Sequence, residues 1–309
     1  MILLHQYDTS PFSEKVRICL GIKGLAWAAV DQPVIMPKPD LLALTGGYRR
    51  IPVMQIGADI YCDTALACDV LEHRQPTPTL YPEPEKGLGR ALAQWADSTL
   101  FWSAMAWNMQ PRAREQLFAA ATPEQREAFA RDRAAMSATG MTRQRPEDAT
   151  AACKSYLRRL SDMLDDRPFL LGEAPCIADF AAYHPLWYTR TRVPVVAGIL
   201  DLTPAVVDWM DRMALIGHGE STPLEPADAI GIAAAAVPLP VADEVFQDDH
   251  GIALGSRVTV AAESFGTEAT EGVLVAATRM HLTLRREGGP AGVVHVHFPR
   301  IGYVLRQAD

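Results

Sequence analysis

Apolar and polar positions in the first 75 residues predict alternating strands and helices. Residues 2–7, ILLHQY, form an apolar run that ends at the turn residues DTSP, which predicts a strand. From Pro11 the apolar residues recur at helical spacing, so a helix begins there and ends at Gly21 or Gly24. The segments that follow predict the order β-α-β-α-β-β-α, with strands at 25–30, 51–57 and 59–62 and a last helix at 63–74. This order indicates a small α/β domain over residues 1–78.

A proline-rich segment, QPTPTLYPEPEKG, separates this domain from a long region of helical periodicity. Leu92, Trp95 and Trp102 fall on one face of a helix. Thr122 and Pro123 are typical of a helix start, because threonine caps and proline fits the first turn. Residues 146–164 are amphipathic, and two further helical segments follow. We therefore predict an all-helical domain over residues 86–218 with at least five helices.

The pattern changes again after residue 218. Residues 219–240 contain four prolines and are predicted to be a linker. Residues 241–309 hold five short alternating runs that are separated by glycine-bearing turns. Such runs predict a small antiparallel barrel or open roll. The expected fold is therefore multidomain, with an α/β domain, an all-α domain and a small, barrel-like all-β domain.

Charge and composition exclude several classes of partner. The chain has 309 residues, with 29 basic against 37 acidic residues and a net charge of −8. An acidic chain without a basic run is a poor partner for nucleic acid or anionic lipid. The longest apolar stretch, residues 230–242, contains two prolines and is shorter than the roughly 20 residues of a membrane span. With no signal peptide visible and no C-x-x-C among five cysteines, we expect a cytoplasmic protein with reduced thiols.

The first motif that carries chemistry is SPFS at residues 10–13, where a strand turns into a helix. A helix N-terminus presents free N–H groups and partial positive charge, which stabilise an anion such as a thiolate. Ser10 lacks an evident base, so it is not itself a nucleophile, but it can donate a hydrogen bond to a bound thiolate. The alternative is that Ser10 only caps the helix.

Two further motifs follow at the ends of predicted strands. Ile51-Pro52 stands at a strand entry, where a cis bond would expose the backbone of Ile51 to a ligand. Asp63 and Thr64 open the next helix, where Thr64 can hold a carboxylate and Asp63 an ammonium group. Each motif also has a plain structural explanation, a strand start and a helix cap.

Taken together, and in this order before an all-helical region, the motifs resemble the soluble glutathione transferase superfamily. The resemblance covers residues 1–218 and implies a thioredoxin-like N-terminal domain, an all-helical second domain and a homodimer. SPFSEKVR looks like the segment where serine-type members carry their catalytic residue, and Ser10 falls on that position. Tyr7 lies near the position that tyrosine-type members use but one residue out of register, so Ser10 is preferred.

The resemblance also implies roles for the other motif residues. Ile51 and Pro52 match the segment that pairs with the cysteinyl backbone of glutathione. Asp63 and Thr64 stand where the family usually has Glu or Gln followed by Ser, which holds the γ-glutamyl end. CIADFAAY resembles the family's capping box, with Asp179 in place of the family acid and Cys176 in place of the hydroxyl residue.

The implied reaction is attack of the glutathione thiolate on a small hydrophobic electrophile. Arg50, Arg49 or Lys38 would pair with the glycine carboxylate of glutathione. The electrophile pocket would be lined by Tyr7, Phe12, Trp102 and Met105. Alternatives are a non-catalytic scaffold with the same fold and another glutathione-dependent activity, such as an isomerase or a peroxidase.

The tail offers one weak metal motif. His295 and His297 share a strand face, and His281 lies on a neighbouring predicted strand. Because the sequence places no cysteine or clustered carboxylate with them, we expect ordinary strand histidines and no metal.

Overall fold

The computed structural model describes residues 1–137, 144–241, 245–247 and 249–308. Residues 138–143 of the predicted helical domain, and 242–244, 248 and 309 of the predicted β domain, lie outside the described residues. The first part of the chain has the predicted order of elements. They are β1 (Ile2–Gln6), α1 (Pro11–Ile22), β2 (Trp27–Asp31), α2 (Pro39–Thr45), β3 (Val53–Ile56), β4 (Asp59–Cys62) and α3 (Thr64–Arg74).

Pairing of these strands follows the thioredoxin-like pattern. β1 is parallel to β2 and antiparallel to β3, and β3 forms an antiparallel hairpin with β4. α1 begins at Pro11, and α2 ends at Gly46, whose φ of 80° suits a residue without a Cβ. All five cysteines are free and buried, as expected for reduced thiols.

Helices dominate the second part of the chain, as predicted. They are α4 (Lys86–Trp95), α5 (Phe101–Asn108), α6 (Pro111–Leu117), α7 (Pro123–Met136), α8 (Pro146–Met163), α9 (Ile177–Arg192) and α10 (Pro204–Ala214). A π-helical turn, Ala96–Leu100, joins α4 to α5, and a 3-10 helix, Pro194–Leu202, precedes α10. The long helix α9 is the buried centre of this part and packs against α1, α4 and α5. Among the helices that the structure describes, none has both the length and the apolar composition to cross a membrane.

The start of α9 shows how the weak cap is supported. The Asp179 carboxylate accepts hydrogen bonds from the backbone N–H of Cys176 and of Leu170, at 3.0 and 2.9 Å. It also accepts one from the indole N–H of Trp209 at 2.9 Å. A fully buried carboxylate with three donors therefore holds the helix start where the sequence has Cys176 instead of a hydroxyl residue.

Residues 219–240, predicted as a linker, contain two regular elements. β5 (Ser221–Pro223) is a parallel neighbour of β2, and α11 (Pro226–Ala235) packs against α2, β2 and β9. Over Ser221–Ala235 the predicted linker is thus a strand and a helix. The prolines misled the prediction because Pro226 stands in the first turn of α11, where proline is favourable.

The C-terminal strands are the five that the alternating runs predict. They are β6 (Arg257–Ala262), β7 (Thr270–Ala277), β8 (His281–Gly289), β9 (Gly292–Pro299) and β10 (Tyr303–Gln307). They pair antiparallel in the order β10-β6-β7-β8-β9, and β9 then pairs in parallel with β4. All strands in the described part of the chain therefore belong to one ten-stranded sheet, β10-β6-β7-β8-β9-β4-β3-β1-β2-β5.

The C-terminal strands also share a core with the α/β domain. Leu41 of α2 and Ile60 of β4 are buried in the same cluster as Val258, Leu284 and Val296. The predicted fold class, with thioredoxin-like, helical and β parts, is confirmed. The sequence did not reveal that the β part extends the thioredoxin-like sheet.

Candidate functional site

Ser10 is the N-cap of α1, where its side chain has two hydrogen-bonding functions. Its Oγ accepts a hydrogen bond from the backbone N–H of Ser13 at 3.1 Å. A hydroxyl also has one hydrogen to donate, and no described residue accepts it. Ser10 is only 1% exposed. The residue therefore does cap the helix, and its hydroxyl keeps one hydrogen that no described residue accepts.

The Ile51-Pro52 bond is cis and stands directly before β3. Ile51 is half-buried and Pro52 is buried. β3 pairs with β1, whose C-terminal end leads into Ser10. Ile51 precedes β3 and the α1 N-terminus follows β1. Because these two strands are antiparallel neighbours, both features lie at the same edge of the sheet.

Asp63 caps α3, and both of its carboxylate oxygens already accept hydrogen bonds. Its Oδ1 accepts from the backbone N–H of Ala65 at 2.9 Å, and its Oδ2 accepts from the hydroxyl of Tyr303 at 3.0 Å. Asp63 has a φ of 79°, which is unusual for a residue with a side chain. The contact with Tyr303 was not predicted, because Tyr303 lies far along the chain in β10.

Thr64 is buried beside a charged network. Its Oγ1 accepts a hydrogen bond from Nζ of Lys15 at 3.2 Å, which links α1 to α3. Lys15 also pairs with Asp97 at 2.5 Å. Burial opposes the charge on Lys15, but the Asp97 carboxylate more than compensates and raises the pKa of the lysine. Thr64 is thus next to a permanent positive charge.

Arg49, which lies between α2 and β3, is close to Lys38, which directly precedes α2. Arg49 pairs with Asp132 at 2.7 Å and with Glu268 at 3.1 Å. Lys38 donates to the backbone carbonyl of Arg49 at 3.3 Å, and its Nζ lies 6.0 Å from the ring centre of Tyr7. Burial, followed by the charge of Arg133, lowers the pKa of Lys38 to about 8.

Arg50 differs from Arg49 because its guanidinium makes no ion pair with the described residues. Its Cζ lies 5.9 Å from the ring centre of Tyr303, and its buried Nε has no hydrogen-bond partner among the described residues. A buried, unpaired guanidinium N–H is rare and is suited to an incoming anion. Of the two arginines, Arg50 is therefore better suited to a carboxylate.

The predicted pocket residues are only partly brought together. Phe12 packs with its ring centre 4.6 Å from both Phe101 and His184, and Phe101 packs edge-on against Trp102 at 5.0 Å. Met105 is half-buried on the same helix as Trp102. Tyr7 is half-buried beside Lys38, with no ring contact to the other predicted pocket residues among those described.

One loop of the C-terminal strands reaches this region. It is the β6–β7 loop, residues 263–269. Its Phe265 packs edge-on against Trp102 with ring centres 5.0 Å apart, and its Glu268 pairs with Arg49. The backbone N–H of Gly266 donates to the carbonyl of Met136 at 2.9 Å. The tail therefore contributes Phe265, Glu268 and Tyr303 to the predicted glutathione site, and no local sequence signal indicated this.

A second cluster lies at the junction of β4 and β9. The Nε2 of His297 is 2.9 Å from Oδ1 of Asp59, and Nδ1 of His295 is 3.9 Å from the same oxygen. The sequence argument against a metal relied on the lack of a carboxylate near these histidines. That premise is wrong, because parallel pairing brings Asp59 beside them.

Comparisons with known proteins match both of the first two parts. The family model for the glutathione S-transferase N-terminal domain matches residues 4–79, and the one for the C-terminal domain matches residues 113–212. The crystal structure of a GST-like protein from Pseudomonas syringae is 42% identical and covers 99% of each chain, with a TM-score of 0.84.

More distant structures share the fold of the first two parts. A glutathione S-transferase from Methylobacillus flagellatus with GSH bound is 18% identical, with a TM-score of 0.51, over 70% of this chain and 99% of that chain. A Tau class glutathione S-transferase from mango, Mangifera indica, is also 18% identical, with a TM-score of 0.51, over 69% of this chain and 88% of its own. A search of curated proteins found no match.

Proposed function

Because this chain belongs to the glutathione S-transferase superfamily, we propose that it binds glutathione between the N-termini of α1 and α3 and activates its thiol. The observation that carries the proposal is the geometry of Ser10. Its Oγ accepts the Ser13 N–H, which orients the hydroxyl and leaves its hydrogen for an anion. The GSH-bound Methylobacillus relative supports glutathione as the co-substrate.

In this proposal the thiol is activated by electrostatics. A free thiol has a pKa near 8.5. The Ser10 hydroxyl and the positive end of α1 both favour the thiolate and lower that pKa. The thiolate then attacks an electrophile, and the sulfur–carbon bond forms as the leaving group departs or as the acceptor bond opens. Phe12, Trp102 and Met105 form the apolar wall on the electrophile side.

Five further residues anchor glutathione. Thr64 binds the γ-glutamyl carboxylate, because its hydroxyl lies at the α3 N-terminus and beside the Lys15 ammonium. Arg50 takes the glycine carboxylate, since its buried Nε lacks a partner among the described residues. Lys38 is the second donor for that end, and Ile51 offers its backbone to the cysteinyl unit. Asp63 binds the amino group once Tyr303 releases it.

The test compares Ser10→Ala with Ser13→Ala. The two substitutions remove hydroxyls three positions apart, at the N-cap and in the first turn of α1, but Ser13 Oγ has no hydrogen-bond partner among the described residues. Ultraviolet absorbance of the thiolate gives the pKa of bound glutathione. We expect Ser10→Ala to raise that pKa by about 1–2 units, because a hydrogen bond to a charged group is worth roughly 1.5–3 kcal/mol. Equal values in both variants and the wild type would sink the assignment. Circular dichroism controls for the lost cap.

A non-catalytic binding protein is the second candidate. Contacts within the chain favour it, since both carboxylate oxygens of Asp63 already accept hydrogen bonds from this chain and Ser10 is only 1% exposed. Calorimetry with millimolar glutathione separates the two candidates, because the scaffold would show no binding. If glutathione binds, a screen of electrophiles, peroxides and maleyl-type substrates separates a transferase from a peroxidase or an isomerase.

We further propose a homodimer in the cytoplasm, as the family resemblance implies. Sedimentation velocity of the full chain tests the first part and cell fractionation the second. A single monomeric species at micromolar concentration would contradict the dimer.

A further inference from the structure

Three potential metal ligands lie on one face of the sheet at the junction of β4 and β9. In the parallel register Asp59 pairs with His295, and Tyr61 pairs with His297. Residues two apart in a strand point to the same side, so both histidines face the side that carries Asp59. Asp59 Oδ1 and one ring nitrogen of each histidine lie within 4.8 Å of one another.

The spacing of these atoms fits a small divalent cation. Zinc bonds to nitrogen and oxygen are about 2.0–2.1 Å long, so a tetrahedral site separates its ligand atoms by roughly 3.4 Å. The two distances from Asp59 Oδ1, 2.9 Å to His297 and 3.9 Å to His295, lie on either side of that value. Movements of about half an ångström would therefore bring both ring nitrogens to that distance from Oδ1.

His295 supplies an independent indication of a missing ligand. The residue is 9% exposed, and its Nδ1 has no hydrogen-bond partner among the described residues. Buried polar atoms are nearly always paired, so an unpaired ring nitrogen aimed at a carboxylate needs a reason.

The neighbours of the other two ligands hold them in binding orientations. Nδ1 of His297 lies 3.0 Å from the hydroxyl of Thr283, which can accept the Nδ1 proton when Nε2 binds a metal in place of its 2.9 Å contact with Asp59. The ring of Tyr61 stacks on His297 at 4.6 Å. The backbone N–H of Leu239 donates to Oδ2 of Asp59, so Oδ1 is the oxygen that faces the histidines.

We propose that Asp59, His295 and His297 bind one zinc-type divalent cation through Oδ1, Nδ1 and Nε2. Two imidazoles and one carboxylate are a ligand set that zinc and other first-row metals accept, and a fourth position remains for water. A positive charge, that of Arg285, lies opposite His295 in the β8–β9 pairing, but the carboxylate of Glu287 pairs with its guanidinium at 2.8 Å and offsets it. The inference does not depend on glutathione binding.

The location suggests what the cation does. Asp59 belongs to the thioredoxin-like hairpin, whereas both histidines belong to the C-terminal strands. A cation bound to all three cross-links β4 to β9, where the two parts of the sheet meet. It therefore fastens the C-terminal strands to the α/β domain.

The test is zinc titration of the chelator-treated full chain by calorimetry. We compare the wild type with His295→Ala and His297→Ala, and use His281→Ala as the matched control. His281 has its ring centre 6.4 Å from that of His297 but is not one of the three ligands. The expected result is one zinc per chain, with His281→Ala unchanged. Loss of either ligand should weaken binding at least about 100-fold, because loss of a ligand's neighbour alone costs about 10- to 100-fold.

A second measurement on the wild type covers the case in which a variant misfolds. Cobalt replaces zinc and gives strong visible absorption in a four-coordinate site, and zinc should displace that signal at one equivalent. The proposal is overturned if the folded wild type binds neither metal at micromolar concentration, or if folded His295→Ala binds zinc as tightly as wild type. In those cases Asp59 and His297 form only a hydrogen-bonded pair.

Discussion

Tyr303→Phe is the substitution that most directly probes how the C-terminal strands act on the proposed glutathione site. The Tyr303 hydroxyl donates its single hydrogen to Oδ2 of Asp63 at 3.0 Å, and the hydroxyl of Tyr48 lies 3.3 Å from it. In the proposed complex the same carboxylate oxygen binds the amino group of glutathione. The tyrosine and glutathione therefore compete for Asp63.

The size of this competition follows from the hydrogen bond. A bond to a charged group contributes about 1.5–3 kcal/mol, and the lower end applies because Asp63 is partly exposed. Since about 1.4 kcal/mol is a factor of ten in an equilibrium constant, Tyr303→Phe should bind glutathione roughly tenfold more tightly. The same change should lower the free energy of unfolding by about 1.5 kcal/mol, because the bond is absent from the folded variant.

Calorimetry with glutathione measures the first effect and urea unfolding the second. Tyr48→Phe is the matched control, because it removes a buried tyrosine hydroxyl from the same pair but leaves the bond to Asp63. We expect its glutathione affinity to stay within about twofold of the wild type. The reasoning fails if folded Tyr303→Phe binds glutathione no more tightly than the wild type, or if both variants gain equally.

Other predictions concern stability. Burial lowers the pKa of Lys38 to about 8, below its unfolded value, so the unfolded chain binds the extra proton between pH 8 and about 10. Unfolding free energy should rise with pH in that window, by at most about 1.4 kcal/mol per pH unit, and the slope should diminish in Lys38→Met. Asp179→Ala leaves three buried N–H donors, including that of Trp209, without their acceptor. It should lower the unfolding free energy measured in urea by about 3–5 kcal/mol, whereas the exposed Asp208→Ala should lower it by about 0.5 kcal/mol. Cys176→Ser supplies a stronger cap to α9 and should raise the unfolding free energy by about 0.5–1 kcal/mol; a loss would contradict the capping argument.

The sequence predicted the elements well because their signals are local. The runs in which apolar and polar residues alternate predicted β6 to β10, and the change from alternating to helical spacing at Pro11 predicted α1. The motifs at Ser10, Pro52 and Asp63 were found because each stands at the end of an element, where turn and cap residues are restricted. Prolines were ambiguous, since the same residue type breaks a chain at one place and starts α11 at another.

What the sequence did not reveal are the contacts that depend on the packing of the C-terminal strands against the α/β domain. Tyr303 bonds to Asp63 across 240 residues, and His297 to Asp59 across 238. The His297 contact follows from the pairing of β9 with β4, whereas the Tyr303 contact comes from β10, at the other end of the C-terminal strands. Both require these strands to pack on the α/β domain, and alternation along a strand sets its faces but not its neighbour. The missed residues of both sites therefore share one physical cause.

That shared cause implies that the two proposed sites are coupled. Asp59 begins β4 and Asp63 follows its end, so the sites are separated by four residues of one strand, roughly 13 Å. Zinc favours the docked C-terminal strands, and in the docked state Tyr303 holds the Asp63 oxygen that glutathione needs. Zinc should therefore weaken glutathione binding, and by linkage glutathione should weaken zinc binding by the same factor.

The free energy of this coupling cannot exceed that of the Tyr303–Asp63 hydrogen bond. We therefore expect zinc to change the glutathione affinity by up to about tenfold. Glutathione calorimetry on zinc-free and zinc-saturated protein measures it, and Tyr303→Phe should remove the difference because the competing hydroxyl is gone. A zinc effect that persists in folded Tyr303→Phe would show that the coupling does not pass through this bond. Zinc that tightens glutathione binding would contradict its sign.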